Sequence, residues 1–364
     1  MTVLICTTEN SGIDRYSQEL AKLLSVITVR TGRYKLELDG RWLIDRLKTL
    51  DETVHYTNQH FGRISICAGL PFIVTVHDLE RICFPFSNQE PLEEASLKKD
   101  AVAIQKAEHV IAVSENTKKD LMRYLKIPEE KITVVYNGVD HEVFKPNIHP
   151  VSSSPYILYV GSERPRKNLE RLLEAFVRLK KSADFANLKL IKVGSPGRSD
   201  AFRQATLQKT KELGLESEVI FVDHITDDLL SAYYSSAKAL VYPSLYEGFG
   251  LPVLEAMACG CPVITSNVSS LPEVAGGAAL LFNPYDVADI CGAIARLLTN
   301  GKLRDELVAK GRERSSVFSW TKTAGETMNI YRQVEQSVKG HRKDAPNGQS
   351  SGGEYQSCQP LKAQ

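Results

Sequence analysis

The chain reads as an α/β protein made of two doubly wound, Rossmann-like domains facing each other across a cleft. Three observations predict this. Short continuous apolar runs rich in Val and Ile alternate with longer amphipathic stretches, the pattern of parallel strands buried on both faces by helices. The alternation pauses at 145–155, KPNIHPVSSSP, and then restarts. The length of 364 residues suits about two domains at roughly 150 residues each.

Taken in order, VLIC (3–6) is the first strand, followed by helical sequence around Tyr16 to Leu24. FIVTV (72–76), HVIAV (109–113) and ITVVY (132–136) are further strands, with an amphipathic helix over 92–107. After the Pro- and Ser-rich stretch, YILYV (156–160) precedes a helix near 168–181. LKLIKV (188–193), VIFV (219–222), ALVY (239–242) and PVIT (262–265) complete a second set of strands. The segment 318–337 is a final amphipathic helix, and the tail from Lys339, poor in apolar residues, is expected to be disordered. The expected division is 1–148, 149–318, a helix at 319–338 and a tail at 339–364.

Composition narrows the function. Lys and Arg total 45 against 44 Asp and Glu, a net charge of +1, so no strong field draws nucleic acid. No apolar run of about 18 residues exists to span a bilayer, and the start reads as lacking a secretory signal. The seven cysteines, at 6, 67, 83, 259, 261, 291 and 358, sit mostly in apolar surroundings. They read as reduced buried thiols of a cytoplasmic protein, and Cys259 with Cys261 lacks the second pair of ligands that zinc needs.

Four stretches carry chemistry. In PSLYEGFGLPVLE (243–255) a loop with Gly248 and Gly250 runs from a strand into a helix with Pro252 in its first turn. The N–H groups of Phe249, Gly250 and Leu251 would face an anion at the helix start, a diphosphate cradle. Carboxylates suit sugar hydroxyls better than phosphate, so Glu247 is assigned to hexose hydroxyls and Glu255 to ribose hydroxyls. In VGSERPRKN (160–168), Arg164, Arg166 and Lys167 form a cationic group at a strand's carboxyl end, fitted to phosphate oxygens. Asn168 is placed as the cap of the next helix. Gly12 opens the first helix after the first strand, without a full G-x-G-x-x-G. His77 follows an apolar strand in VTVHDL. Base recognition is expected near Val193–Gly194 and Val222–Ile225.

Together these stretches resemble the family 4 retaining glycosyltransferases (glycosyl transferases group 1) of the two-domain GT-B fold. The resemblance reaches to about Ser337, and its most specific piece is Glu247-x7-Glu255 within PSLYEGFGLPVLEAMACGCPVITSNVSSLPEV. SGIDRYSQEL resembles the family's first glycine loop, with Asp14 where a second glycine often stands, and Ser162 stands where some members carry an Arg.

The resemblance implies a carboxyl-terminal domain that binds a nucleotide sugar, of GDP-mannose or UDP-glucose type, and an amino-terminal domain that binds a glycan or lipid-linked acceptor. The terminal helix would cross back to the first domain. It further implies transfer of a hexose with retained configuration, Lys167 with Arg166 stabilising the departing diphosphate. His77 would contact the hexose 6-hydroxyl or the acceptor. No D-x-D is present and no metal is expected. The competing readings are a nucleotide-sugar 2-epimerase of the same architecture and a non-catalytic partner subunit. The incomplete glycine fingerprint argues against a nicotinamide oxidoreductase. Segment 30–48, with six basic and three acidic residues around Trp42, Leu43, Ile44 and Leu47, reads as a surface helix or as a face for peripheral membrane contact.

Overall fold

The structure is a computed structural model that describes residues 2–7, 12–31, 41–50, 52–84, 91–147, 149–197 and 199–344. It divides into two units, Met1–Asn137 with Trp320–Gln364, and Gly138–Ser319.

In the first unit the chain runs β1 (Thr2–Thr7), α1 (Gly12–Leu23), β2 (Ile27–Thr31), α2 (Arg41–Leu50), β3 (Thr53–Tyr56), α3 (Arg63–Ala68), β4 (Phe72–Val76), α4 (Glu80–Cys83), α5 (Pro91–Lys106), β5 (His109–Ala112), α6 (Glu115–Leu125) and β6 (Ile132–Val134). The sheet order is β2-β1-β3-β4-β5-β6, every pair parallel. All five residues of FIVTV are buried, as a strand covered on both faces requires. Ser114 caps α6 by accepting from the Thr117 N–H.

The second unit runs β7 (Tyr156–Val160), α7 (Leu169–Leu179), β8 (Lys189–Val193), α8 (Asp200–Glu212), β9 (Val219–Val222), α9 (Asp227–Ser236), β10 (Ala239–Tyr242), α10 (Leu251–Ala258), β11 (Val263–Ser266), α11 (Leu271–Ala275), β12 (Ala279–Phe282), α12 (Val287–Thr299) and α13 (Gly301–Ser316). Its sheet is β12-β11-β10-β7-β8-β9, again wholly parallel. The chain starts in the middle at β7, winds out to β9, then returns to β10 on the other side of β7. The loops that leave β7 and β10 therefore diverge at a topological switch point, where open α/β sheets bind ligands. That strand order, which periodicity alone cannot give, brings 161–168 beside 243–250.

Several expectations need correction. The change of unit falls after Asn137, ahead of the Pro- and Ser-rich stretch. Residues 138–147 already belong to the second unit: Val139 bridges Ser319, Phe144 meets the Tyr234 ring edge-on, and the Ser231 hydroxyl donates to the Lys145 carbonyl. The last helix, α14 (Trp320–Asp344), extends through 339–344, where a disordered tail was expected; 345–364 lie outside the described residues. α14 packs in the first unit, where Trp320, Ala324, Ile330, Tyr331 and Val334 share a core with Leu4, Tyr16 and Leu20. Within segment 30–48, Leu43 and Leu47 are buried in the first unit's core with Ile44 packed beside them. Leu43 and Leu47 are thus committed to the fold, the burial of each contributing roughly 1.5–3 kcal/mol, as the surface-helix reading of this segment expects. Residues 32–40 and the Trp42 side chain lie outside the described residues. β2, β3 and β12 were absent from the sequence reading. Cys6, Cys83, Cys259, Cys261 and Cys291 are free thiols.

A polar network crosses the first unit's core. Fully buried His55 bonds through Nδ1 to the Tyr331 hydroxyl of α14 at 2.6 Å and through Nε2 to Thr75 Oγ1 at 2.8 Å. Thr75 Oγ1 also meets the Tyr16 hydroxyl. Burial pulls the imidazole from its ordinary 6.5 down to about 3, so between those two pH values it is neutral in the folded chain and protonated only when unfolded. Stability is full above about pH 6.5 and is expected to fall as pH drops towards about 3, by up to about 1.4 kcal/mol per pH unit. His55→Gln should flatten that limb in melting temperatures measured from pH 7 to 4; an unchanged slope would remove His55 as its source.

Candidate active site

The site is assembled from the two loops that part at the β7/β10 switch point. After β7 the chain turns at Gly161 and makes a short 3-10 turn, Pro165–Lys167. After β10 it runs through Pro243–Gly250 into α10, with Pro252 in the first turn, where a missing N–H costs nothing. The loops are joined by backbone, the Leu245 N–H donating to the Arg166 carbonyl at 2.7 Å.

On this frame the structure brings Arg166, Lys167 and Glu247 together. Lys167 Nζ lies 2.6 Å from Glu247 Oε1, and Arg166 Nη1 lies 3.0 Å from Glu247 Oε2. Arg166 also donates to the Tyr246 carbonyl. Tyr242, at the end of β10, completes the group: its hydroxyl donates to Glu247 Oε1 and accepts from Lys167 Nζ, each at 2.9 Å. Burial by itself would raise the Glu247 carboxyl, but the Lys167 and Arg166 charges outweigh it and hold the group at about 2. Burial and the charge of Glu247 hold the Tyr242 phenol well above its usual range. The cluster is thus two cations and one anion, with net positive charge at a strand-end turn.

The loop around Glu247 is fixed from below. Its N–H donates to Ser269 Oγ at 3.1 Å, and Ser270 Oγ donates to the carbonyls of Glu247 and Phe249 at 3.0 and 2.7 Å. Gly250 takes φ +114°, and a Cβ there would lie 2.8 Å from Leu271 Cδ2, so only glycine turns the chain into Leu251 and α10. Phe249 is buried, its ring edge-on to Phe318 at 6.0 Å. Gly248 sits in the same loop, next to Glu247. Glu255, inside α10, is buried and accepts from the Tyr234 hydroxyl at 2.9 Å.

Arg164 opens the 3-10 turn, its carbonyl accepting from the Lys167 N–H, and its side chain leans over Gly197. Gly194 is at φ +122°, and a Cβ there would lie 2.8 Å from the Gly161 carbonyl. Asn168 makes no side-chain cap and sits at φ +59°. Its Nδ2 instead donates to the carbonyls of Pro243 and Pro284 at 2.9 and 2.8 Å. The residue placed as a helix cap is a tie between loops.

In the first unit, Gly12 opens α1, and residues 8–11 before it lie outside the described residues. His77 follows β4 and is buried. Its Nε2 lies 2.8 Å from the Thr57 carbonyl; a carbonyl only accepts, so Nε2 carries the proton and Nδ1 the lone pair. Burial lowers the pKa of the ring. Asp14 is buried on α1, close enough for its charge to act on His77. Sequence reasoning missed Tyr242, Ser269 and Ser270 as parts of the site.

Comparison with known proteins gives the family. Residues 140–314 match the model for glycosyl transferases group 1 and residues 3–143 that for glycosyltransferase family 4. The chain belongs to this family of glycosyltransferases. It is a hexosyltransferase. It is 30% identical over 272 residues to O-antigen chain mannosyltransferase B of Escherichia coli, covering 71% of this chain and 70% of that one. Over 248 residues it is 33% identical to the serotype-specific mannosyltransferase WbdA of Escherichia coli, covering 65% of this chain but 30% of that longer protein. Among solved structures, sucrose-phosphate synthase from Thermosynechococcus elongatus superposes with a TM-score of 0.76 at 24% identity, covering 92% of this chain and 99% of that one. Anabaena HepE in complex with UDP and glucose gives 0.73 at 17% identity, covering 93% and 99%. These likenesses establish the two-domain GT-B fold of this hexosyltransferase. Among the described residues no helix is long and apolar enough to cross a membrane.

Proposed function

We propose that this glycosyltransferase moves a mannosyl residue, with retained configuration, from a nucleoside diphosphate donor to a hydroxyl of a growing glycan or glycolipid. The observation that carries the reading is the Arg166–Lys167–Glu247–Tyr242 cluster at the switch point of the second unit. The mannosyltransferase relatives support mannose over glucose, and with it GDP as the nucleotide.

The bond from C1 to the diphosphate oxygen breaks, leaving cationic character on the sugar and growing negative charge on the phosphate. Lys167 and Arg166 stabilise that charge, while Glu247 keeps both cations aligned between turnovers. The leaving oxygen takes the proton of the incoming hydroxyl, whose oxygen bonds to C1 on the same face. Such preorganised stabilisation contributes roughly 3–4 kcal/mol per donor group. In the first unit, the Nδ1 lone pair of neutral His77 would accept from an acceptor hydroxyl.

Titration with GDP-mannose and UDP-glucose tests the donor: GDP-mannose should raise the melting temperature by mass action. A response to neither would overturn the reading, and a response to UDP-glucose alone would replace the donor. An epimerised sugar from donor alone would make the protein an epimerase. The proposed charge stabilisation comes from side chains and the start of α10, so transfer is expected to persist in EDTA. Loss on chelation, restored by magnesium or manganese, would overturn the metal-independent scheme.

A further inference from the structure

A second charged cluster lies at the carboxyl ends of β7, β8 and β9, and the chemistry proposed above does not use it. Lys192 of β8 is fully buried, its Nζ 2.7 Å from Glu163 Oε1. The same ammonium donates to the carbonyls of Gly194 and Ser195, so its three protons have three acceptors. Glu163 Oε1 also accepts from Arg203 Nε of α8 at 2.7 Å. Arg203 in turn pairs with Asp223, just past β9. The Glu163 backbone N–H donates to the Pro196 carbonyl at 3.0 Å. Burial pulls the Lys192 ammonium below the ordinary lysine range, against Glu163.

Burying an ion pair costs solvation that the attraction seldom repays in full, and an apolar pair of similar volume is often as stable or more so. Here the cost is higher still, because Glu163 Oε2 is buried and has no hydrogen-bond partner among the described residues. Stability alone does not account for the pair. Its hydrogen bonds do something an apolar pair does not: they turn the Gly194 and Ser195 carbonyls inward and tie 194–196 to the turn after β7. Glu163 stands in that turn, three residues before Arg166 and four before Lys167. The closeness of the turns is already extreme, with no room for a Cβ between Gly194 and the Gly161 carbonyl.

We propose that the cluster formed by the buried Lys192–Glu163 pair and the half-buried Arg203 is a positioning device for the donor site. It locks the 161–167 turn against the 194–197 turn so that Arg166 and Lys167 are presented in one geometry to a nucleoside diphosphate. This rests on the reading of the second unit as donor-binding. The residues are positioning residues, since they act through the turn that carries the two cations.

The test separates position from stability. Lys192→Met/Glu163→Leu should melt within a few degrees of wild type, or above it, yet bind GDP at least tenfold more weakly by calorimetry. Glu163→Gln keeps the acceptor for Lys192 and Arg203 and should stay within about threefold of wild type. A folded double variant that binds GDP as well as wild type overturns the proposal. Should the double variant not fold, Arg203→Met decides: it frees Glu163 from α8 while Lys192 stays paired, and a fall of at least about threefold in GDP affinity is expected, unchanged affinity being the overturning result. Wild-type protein that binds neither GDP nor UDP would overturn the donor-binding reading and this proposal with it.

Discussion

Lys167→Ala should cut turnover at least about a hundredfold while the second unit stays folded. The ammonium is held at the switch point by Glu247 and by the Tyr242 hydroxyl, 2.6 and 2.9 Å away. In the proposed mechanism it is therefore already in position when a diphosphate begins to leave, and its attraction would grow with the charge on that phosphate. Removing an interaction that is stronger in the transition state than in the bound donor lowers kcat more than it raises KM. Steady-state kinetics with saturating donor measures this directly. A loss confined to KM would mean that Lys167 only binds the nucleotide, and near-normal turnover would remove it from the site. Lys167→Arg should recover little, because a planar fork does not replace a point charge wedged between a carboxylate and a phenol.

The elements that could be read from the sequence are those whose information is local. FIVTV, YILYV, VIFV and ALVY are strands at the positions their apolar runs occupy, because a buried parallel strand needs only a short continuous run between breakers. The loop 243–250 was legible for the same reason, its glycines and proline marking a strand–loop–helix passage within a dozen residues. β2, β3 and β12 were not, since ITVRT, TVHY and ALLF are short and two of them carry polar or charged residues. Their place comes from pairing with β1 and β11.

The site was legible in its cations and carboxylates but not in its connections. Arg166 and Lys167 lie 81 and 80 positions from Glu247, and only the return of the chain to β10 beside β7 makes them neighbours. Tyr242 read as the last apolar residue of a strand, and nothing local marks its hydroxyl as a partner of Lys167. Asn168 read as a cap because caps are local, yet its partners are the carbonyls of Pro243 and Pro284. Lys192 is one of two lysines in LKLIKV, and nothing local marks it as the one whose ammonium is fully buried. In each case the sequence shows the functional group and the tertiary pairing decides its use.

Glu247→Ala is expected to match Lys167→Ala in lost turnover, at least about a hundredfold, for a different reason. In the proposed mechanism the carboxylate is not a partner of the leaving charge; paired with Arg166 and Lys167, it sets where the two cations stand. Without it, Lys167 and Arg166 repel one another at close range, and each loses its main anionic partner in a mostly buried place. Removing one side of such a pair costs about 3–5 kcal/mol, so the melting temperature should fall along with turnover. Glu247→Gln keeps the volume and part of the hydrogen bonding and should recover most of the stability but not the rate. The pH dependence separates the two roles. The Glu247 carboxyl drops from about 4.5 to about 2 on folding. Its stabilisation is therefore present above about pH 4.5 and is lost as pH falls towards about 2. Wild type should show that acid limb and Glu247→Gln should not. Because both groups act as one cluster, Lys167→Ala/Glu247→Ala should cost less than the sum of the single losses. Strict additivity in that cycle would mean the carboxylate and the ammonium work independently, and the cluster would lose its standing as the unit that stabilises the departing phosphate.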